Sequence, residues 1–329
     1  MSKNTLIIPV AADRPEYERY LPEWLDIHPD GTLMLYESVR GLPLSDFDRI
    51  CPVILAKHDQ RYHASAMIES QFQKMGLRNT LDIVRLQEPT ASQPETVVRA
   101  IEAADIRGSI FIKDGDNFFE GCRLLGENCV ATFPLDALKN VNPSNKSYIM
   151  LDDNQYITNI IEKVIISRFF CVGGYGFAES AQFVSYYKRL AHYKGLYISH
   201  VIYAMLLDRH LFRPLNVSNY IDWGTRQEWL NFKNHFVTLF VPLTALLPAR
   251  SVYSSMPGWT QTTDVEELRR SYDTGKTKII ILCEEDESSR SRIEEELSRT
   301  GVKYHQLLFG VYAHARLFRT ERGVSGESN

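Results

Sequence analysis

Two carboxylates separated by one glycine, Asp114 and Asp116, follow directly on the apolar run Ser109-Ile110-Phe111-Ile112-Lys113. Hard anionic oxygens just past a buried strand suit a Mg²⁺ ion carried by a nucleotide, with phosphate and water completing its shell. The same Asp-Gly segment also suits a plain chain reversal, in which the Asp side chain bonds its own backbone. A distant second carboxylate, Asp222 in Tyr220-Ile221-Asp222-Trp223-Gly224-Thr225, supplies the partner that an open octahedral site needs. Thr225 and Glu228 have capping-box spacing, so a helix is expected to start there and fix the loop presenting Asp222. Glu162-Lys163 sets a carboxylate beside an ammonium, although Lys163 taken alone also suits an exposed strand position.

These residues need elements to hold them. Short apolar runs at 5–10, 51–56, 82–86 and 109–113 read as buried strands, with helical spacing at 64–75 and 94–104 between them. Strand and helix in alternation imply crossover units and a largely parallel sheet, whose ligands gather at the carboxyl ends of the strands. After residue 145 a run at 147–151, a turn at 152–154 and a run at 156–167 resemble a hairpin, followed by helices at 180–194 and 198–209. A new rhythm begins near Phe236: helix 265–273, strand 278–283, helix 288–300 and strand 304–309. The expected fold class is α/β: a mixed, mostly parallel sheet in a domain spanning 1–235, then a smaller α/β domain spanning 236–329.

Composition removes several classes. The 329 residues carry 37 Lys+Arg against 41 Asp+Glu, a net charge of −4 with no basic stripe, so a nucleic-acid partner is not expected. Five cysteines without a CxxC pair read as buried free thiols in a reducing compartment. The N-terminus lacks a signal peptide's apolar core, and the most apolar stretch, 236–249, is short for a bilayer and contains two prolines. A soluble, cytoplasmic protein without a membrane partner is expected. His58 and His63 lie five apart, off the helical i, i+4 spacing of a metal pair, and read as packing or surface residues. Tyr186, Tyr187, Tyr193 and Tyr197 read as the packed face of a helical region.

The segments FIKDGDNFFE (111–120), IIEKVIIS (160–167), CVGGYGF (171–177), LYISHVI (196–202) and YIDWGT (220–225), in this order and spacing, resemble sugar nucleotidyltransferases of the glycosyltransferase-A-like fold, especially those of bacterial capsule biosynthesis. The resemblance implies an enzyme that joins a nucleoside triphosphate (NTP) to a small phosphorylated acceptor, such as a sugar phosphate, and releases pyrophosphate. It implies Mg²⁺ held by Asp116 and Asp222, with Asp114 as an auxiliary or water-mediated ligand. Lys163 would hold the acceptor phosphate, Glu162 a hydroxyl or amine of the acceptor, and Gly174 would let the backbone approach it. Gln93, in the segment 87–96, would face the base. That segment equally suits a strand-loop-helix junction capped by Thr90 or Ser92.

Two segments depart from the family pattern. The family's loop after the first strand is glycine-rich, with an arginine and a Pro-Lys pair that neutralise the triphosphate. Here residues 10–24 contain no glycine, and only 18 occur in the whole chain. Ala11 and Ala12 take the place of the phosphate-gripping backbone, Arg14 or Arg19 supplies the arginine, and Glu23 stands where the lysine belongs. The second departure is in residues 278–316, which resemble the later half of a haloacid-dehalogenase-like domain. The matching first strand, 238–244, lacks both aspartates of the phosphatase motif, and Leu317-Phe318-Arg319-Thr320 replaces its acidic magnesium loop. A structural or dimer-forming remnant without phosphatase activity is expected, which makes a homodimer one expected assembly. The altered first loop leaves an alternative to the enzyme: a binding or scaffolding pseudoenzyme.

Overall fold

The computed structural model describes residues 4–18, 20–77, 80–121, 126–138, 143–247 and 264–311. The described chain divides into two compact units between Leu230 and Asn231. The first begins with β1 (Thr5–Pro9), α1 (Met34–Val39), β2 (Arg49–Leu55), α2 (Ala56–Tyr62) and α3 (Ala64–Lys74). It continues through β3 (Val84–Leu86), α4 (Gln93–Ala103), β4 (Ile110–Lys113), β5 (Asn117–Glu120) and β6 (Cys129–Pro134). The hairpin β7 (Ser147–Leu151) and β8 (Ile157–Glu162) precedes β9 (Phe169–Phe177), α5 (Ser180–Leu190) and α6 (Ile198–Leu207). β10 (Arg213–Asn216) and β11 (Ser218–Asp222) follow, and α7 (Arg226–Lys233) contains the point of division.

The continuous apolar run of β1 places it at the centre of the sheet, where both faces are covered. It pairs in parallel with β2 and with β4, and β2 pairs in parallel with β3. β9 then extends the sheet antiparallel to β4 and β6, with β10 parallel to β6 at the far edge. Alternation along β1 feeds two cores. Ile7 packs with Val97 and Ile101 of α4, Phe183 of α5 and Val201 of α6; Leu6 and Ile8 pack with Leu35 of α1 and Ile68 and Phe72 of α3. Ser92 caps α4, its side chain accepting from the Glu95 amide.

Several boundaries differ from the sequence expectation. The third strand begins only at Val84, and the second strand of the hairpin stops at Glu162, because Lys163 adopts φ of 59°. A left-handed residue departs from the extended backbone that a strand needs, and at Lys163 the strand ends. Tyr186 is buried, but Tyr193 and Tyr197 are exposed at 60% and 40%, so the four tyrosines do not form one packed face. Cys51, Cys129, Cys171 and Cys283 are buried and form no disulfide; Cys122 lies outside the described residues.

The second unit holds β12 (Val237–Pro242), α8 (Leu243–Leu246), α9 (Val265–Asp273), β13 (Thr277–Leu282), α10 (Arg290–Thr300) and β14 (Gln306–Leu308). Its three strands are parallel in the order β12-β13-β14. Ile279 and Ile281 pack with Leu268 of α9 and Ile293 and Leu297 of α10. The expected magnesium-loop replacement at 317–320 lies outside the described residues.

Gly174 shows how tightly the first sheet is filled. A Cβ there would lie 2.8 Å from Ala131 Cβ and Phe119 Cζ and 2.9 Å from Phe111 Cζ. Gly174→Ala is therefore expected to destabilise the protein by about 1–3 kcal/mol through overpacking, read as a lower midpoint in chemical denaturation.

Candidate active site

A cleft of about 600 Å³ opens over residues that follow β1, β3 and β4, the carboxyl ends of parallel strands. The segment between β4 and β5 forms its floor, and a buried lysine shapes that segment. Lys113, fully excluded from solvent, donates from Nζ to the Asp114 carbonyl at 2.8 Å, the Asn117 carbonyl at 2.9 Å and Asn117 Oδ1 at 2.6 Å. Its ammonium also lies 4.7 Å from the Phe119 ring centroid. A buried ammonium is tolerated when its donors are all engaged, and here they draw both ends of a tight turn together.

That turn presents Asp116 to Asp222. β5 pairs antiparallel with β11, with Asn117 opposite Asp222, and the Trp223 amide donates to the Asp116 carbonyl at 2.9 Å. The position of a Gly224 Cβ would be 3.2 Å from Asp222 Oδ1 and 3.7 Å from Asp116 Oδ2, so the two carboxylates converge on one point of the cleft. The Gly224 amide donates to Asp222 Oδ1 at 3.1 Å. Thr225 and Glu228 form the expected capping box: the Glu228 amide donates to Thr225 Oγ1 at 3.2 Å and Glu228 Oε2 accepts from the Thr225 amide at 2.9 Å. Two carboxylates on the cleft lining, one from the β4–β5 turn and one from the end of β11, fit a hard divalent cation that keeps water and phosphate as its other ligands.

Asp114 lies beside them, half-buried on the cleft lining. Its Oδ1 accepts from Gln93 Nε2 at 2.5 Å, and its amide donates to the Gly173 carbonyl at 2.8 Å. Burial pushes its carboxyl up to about 7, with repulsion from Asp116 adding to the effect, while Lys113, Gln93 and Lys146 oppose it. Gly173, with φ of +74°, makes room: a Cβ there would sit 2.4 Å from Asp114 Oδ2.

Some expected site residues reach the cleft wall and others do not. Ala12, Arg14, Gln93, Asp114, Asp116, Glu162 and Asp222 line it. Ala11 is completely buried in the core, because alternation past β1 turns it inward. Gly174 packs among Ala131, Phe111 and Phe119, and it is the neighbouring Gly173 that lines the cleft. Lys163 is outside the lining: past the strand end its Nζ donates to the Tyr197 hydroxyl at 2.7 Å. Gln93 lines the cleft with its amide committed to Asp114. Glu23 lines it too, accepting from the Tyr17 hydroxyl at 2.7 Å and pairing with Arg14 at 3.8 Å.

The cation that the sequence left unmarked is Lys146. It precedes β7, directly across the hairpin from Lys163, whose amide donates to the Lys146 carbonyl at 3.0 Å. Its Nζ pairs with Asp222 and donates to the Tyr220 hydroxyl at 2.9 Å. No motif flags a lysine inside Asn145-Lys146-Ser147; only the register of β7 on β8, with Ser147 opposite Glu162, puts it there.

The environment of Asp114 makes stability pH-dependent with a defined sign. An ordinary Asp titrates near 3.8, so between that value and about 7 the folded chain holds the Asp114 proton more tightly than the unfolded chain does. Stability from this group is complete at the acid end and declines as pH rises through that window. In metal-free buffer, Asp114→Asn is expected to melt higher than the parent at pH 8, with the difference closing toward pH 4.

No family model matches the chain, and no curated protein matches it in sequence. Solved structures do match. A nucleoside-diphosphate-sugar pyrophosphorylase from Vibrio cholerae RC9 aligns with TM-score 0.57 and 16% identity over 69% of this chain and 98% of its own. An inositol-1-phosphate CTP transferase from T. maritima aligns with TM-score 0.54 and 11% identity, covering 69% and 91% of the two chains. A UDP-glucose pyrophosphorylase complexed with UDP-glucose gives 0.52 and 12%, covering 71% and 98%. At these identities the likeness is one of fold: the mostly parallel mixed α/β sheet described above is the fold of these nucleotidyltransferases.

Proposed function

We propose that the chain is a Mg²⁺-dependent nucleotidyltransferase that joins an NTP to a small phosphorylated acceptor and releases pyrophosphate. The observation that carries this reading is the convergence of Asp116 and Asp222 around Gly224, in a cleft at the carboxyl ends of the central strands. The neighbours' names, pyrophosphorylase and CTP transferase, support the same reaction class.

In the proposed reaction an oxygen of the acceptor phosphate attacks the α-phosphorus of the NTP. A new P–O bond forms, the bond to the bridging oxygen breaks, and pyrophosphate leaves with the electron pair. The attacking oxygen is already ionised at neutral pH, so no general base is required. Catalysis then consists of alignment and charge neutralisation. Mg²⁺ held by Asp116 and Asp222 would supply positive charge at the transferred phosphate. Lys146, fixed against Asp222, takes the place in the cleft that the sequence assigned to Lys163. Arg14 and Ala12, past β1, face the region where the triphosphate would lie, and Gln93 orders the floor through Asp114. Glu162 stands ready for the acceptor.

The finer expectations join this proposal: synthesis of a capsule or surface polysaccharide, a cytoplasmic location, and a second unit that is a haloacid-dehalogenase-like remnant without phosphatase activity, able to form a homodimer. Among the described residues, no helix is long and apolar enough to cross a membrane. One observation favours a second reading, a binding or scaffolding protein without turnover. Arg14 is already paired with Glu23, so the loop after β1 offers a triphosphate less positive charge than its one arginine suggests.

Pyrophosphate release from each of the four common NTPs against a panel of sugar and alkyl phosphates distinguishes the two. The enzyme reading predicts Mg²⁺-dependent release that EDTA abolishes, reduced by about 10²-fold or more in Asp116→Asn and in Asp222→Asn. Silence with every pair would leave the scaffolding reading.

A further inference from the structure

Resting on the transferase reading, we infer that the acceptor is a phosphate monoester carrying an ammonium group, and that Glu162 selects it. Among the described residues, seven carboxylates line the cleft against two basic side chains, Arg14 and Lys146. Both are already committed to acidic partners, Arg14 to Glu23 and Lys146 to Asp222. An NTP and a neutral-bodied phosphate monoester are both polyanions, and together they would enter a wall of their own charge. A divalent cation at Asp116 and Asp222 offsets part of that repulsion and leaves Glu162 unaddressed.

Glu162 is built as a fixed carboxylate. It ends β8, and its Oε2 accepts from Ser147 Oγ across the hairpin and from Ser199 Oγ of α6 at 2.7 Å. Two hydroxyls from different elements hold one oxygen in place. Lys163, the adjacent cation, is turned to the Tyr197 hydroxyl, and among the described residues Glu162 has no ion-pair partner. A half-buried, oriented carboxylate on a cleft wall, which the neighbouring Lys163 influences without forming an ion pair, calls for a cation brought by the ligand. In the transferase reading the acceptor's phosphate would point toward Asp116, Asp222 and Lys146, which leaves its ammonium to meet Glu162, on the strand paired with Ser147.

Two matched pairs test this: glucosamine 1-phosphate against glucose 1-phosphate, and phosphoethanolamine against 2-hydroxyethyl phosphate. Each pair exchanges an ammonium for a hydroxyl, and the two pairs separate an amino sugar from an aminoalkyl source. With the full-length protein, Mg²⁺ and each NTP, kcat/KM is expected to favour the ammonium member of at least one pair by about 10-fold or more. In Glu162→Gln that ratio is expected to fall toward one. A ratio within one preparation is insensitive to how much of the variant is folded. Equal or better use of the hydroxyl member in both pairs, or a ratio unchanged in Glu162→Gln, would overturn the inference while leaving the transferase reading intact. Silence with all four acceptors, together with the wider panel, would instead sink the transferase reading and this inference with it.

Discussion

The buried Lys113 ammonium is the interaction on which the site depends. Its three hydrogen bonds close the turn between β4 and β5, and that closure sets where β5 starts. From there the pairing of Asn117 with Asp222 follows, and with it the meeting of two carboxylates about a hundred residues apart in sequence. A lysine without those acceptors would carry the cost of an unsatisfied buried charge, so the turn and the lysine stabilise each other. The same turn sets Asp114 on the cleft lining, where Gly173 leaves space for its carboxylate and Gln93 binds it. The floor of the cleft is thus a consequence of one buried cation and its geometry.

Much of the scaffold could be read from residue patterning, because the central strands are buried on both faces and carry unbroken apolar runs. Thr225 and Glu228 likewise announced their helix through spacing alone. The convergence of Asp116 and Asp222 was not legible from either segment by itself, since a two-stranded antiparallel pairing far apart in sequence leaves no local signal. It came into view only through the ordered set of resembling segments. Three further pairs of residues show where such reading stops. Ala11 and Ala12 are adjacent and chemically alike, yet one is in the core and one on the cleft wall, a difference decided by side-chain alternation past β1. Gly173 and Gly174 differ in the same way, one beside Asp114 and the other among aromatic rings. Lys146 lines the cleft and Lys163 does not: a left-handed backbone at Lys163 ends its strand, and its ammonium donates to Tyr197.

Charge organises the cleft as much as shape does. The positive groups that a polyanionic substrate needs are scarce, and those present are tied to carboxylates. Glu23 in the loop after β1 is the sharpest case: it holds Arg14 and Tyr17 in a small network in place of a free cation. In the proposed reaction a triphosphate would bring its own countercharge, and the point between Asp116 and Asp222 is where that charge would sit. Electrostatic preorganisation of this kind costs nothing at the moment of reaction, because the carboxylates are already held by backbone amides and a strand pairing.

The most direct measurement of that central claim is a Mn²⁺ titration followed by electron paramagnetic resonance, with and without a non-hydrolysable NTP analogue. Mn²⁺ takes the same oxygen ligands as Mg²⁺ and is visible to the method. The account predicts tight Mn²⁺ binding only when a nucleotide analogue is present, and its loss in Asp222→Asn. Nucleotide-dependent binding that persists unchanged in both Asp222→Asn and Asp116→Asn, or no binding with any of the four analogues, would contradict it.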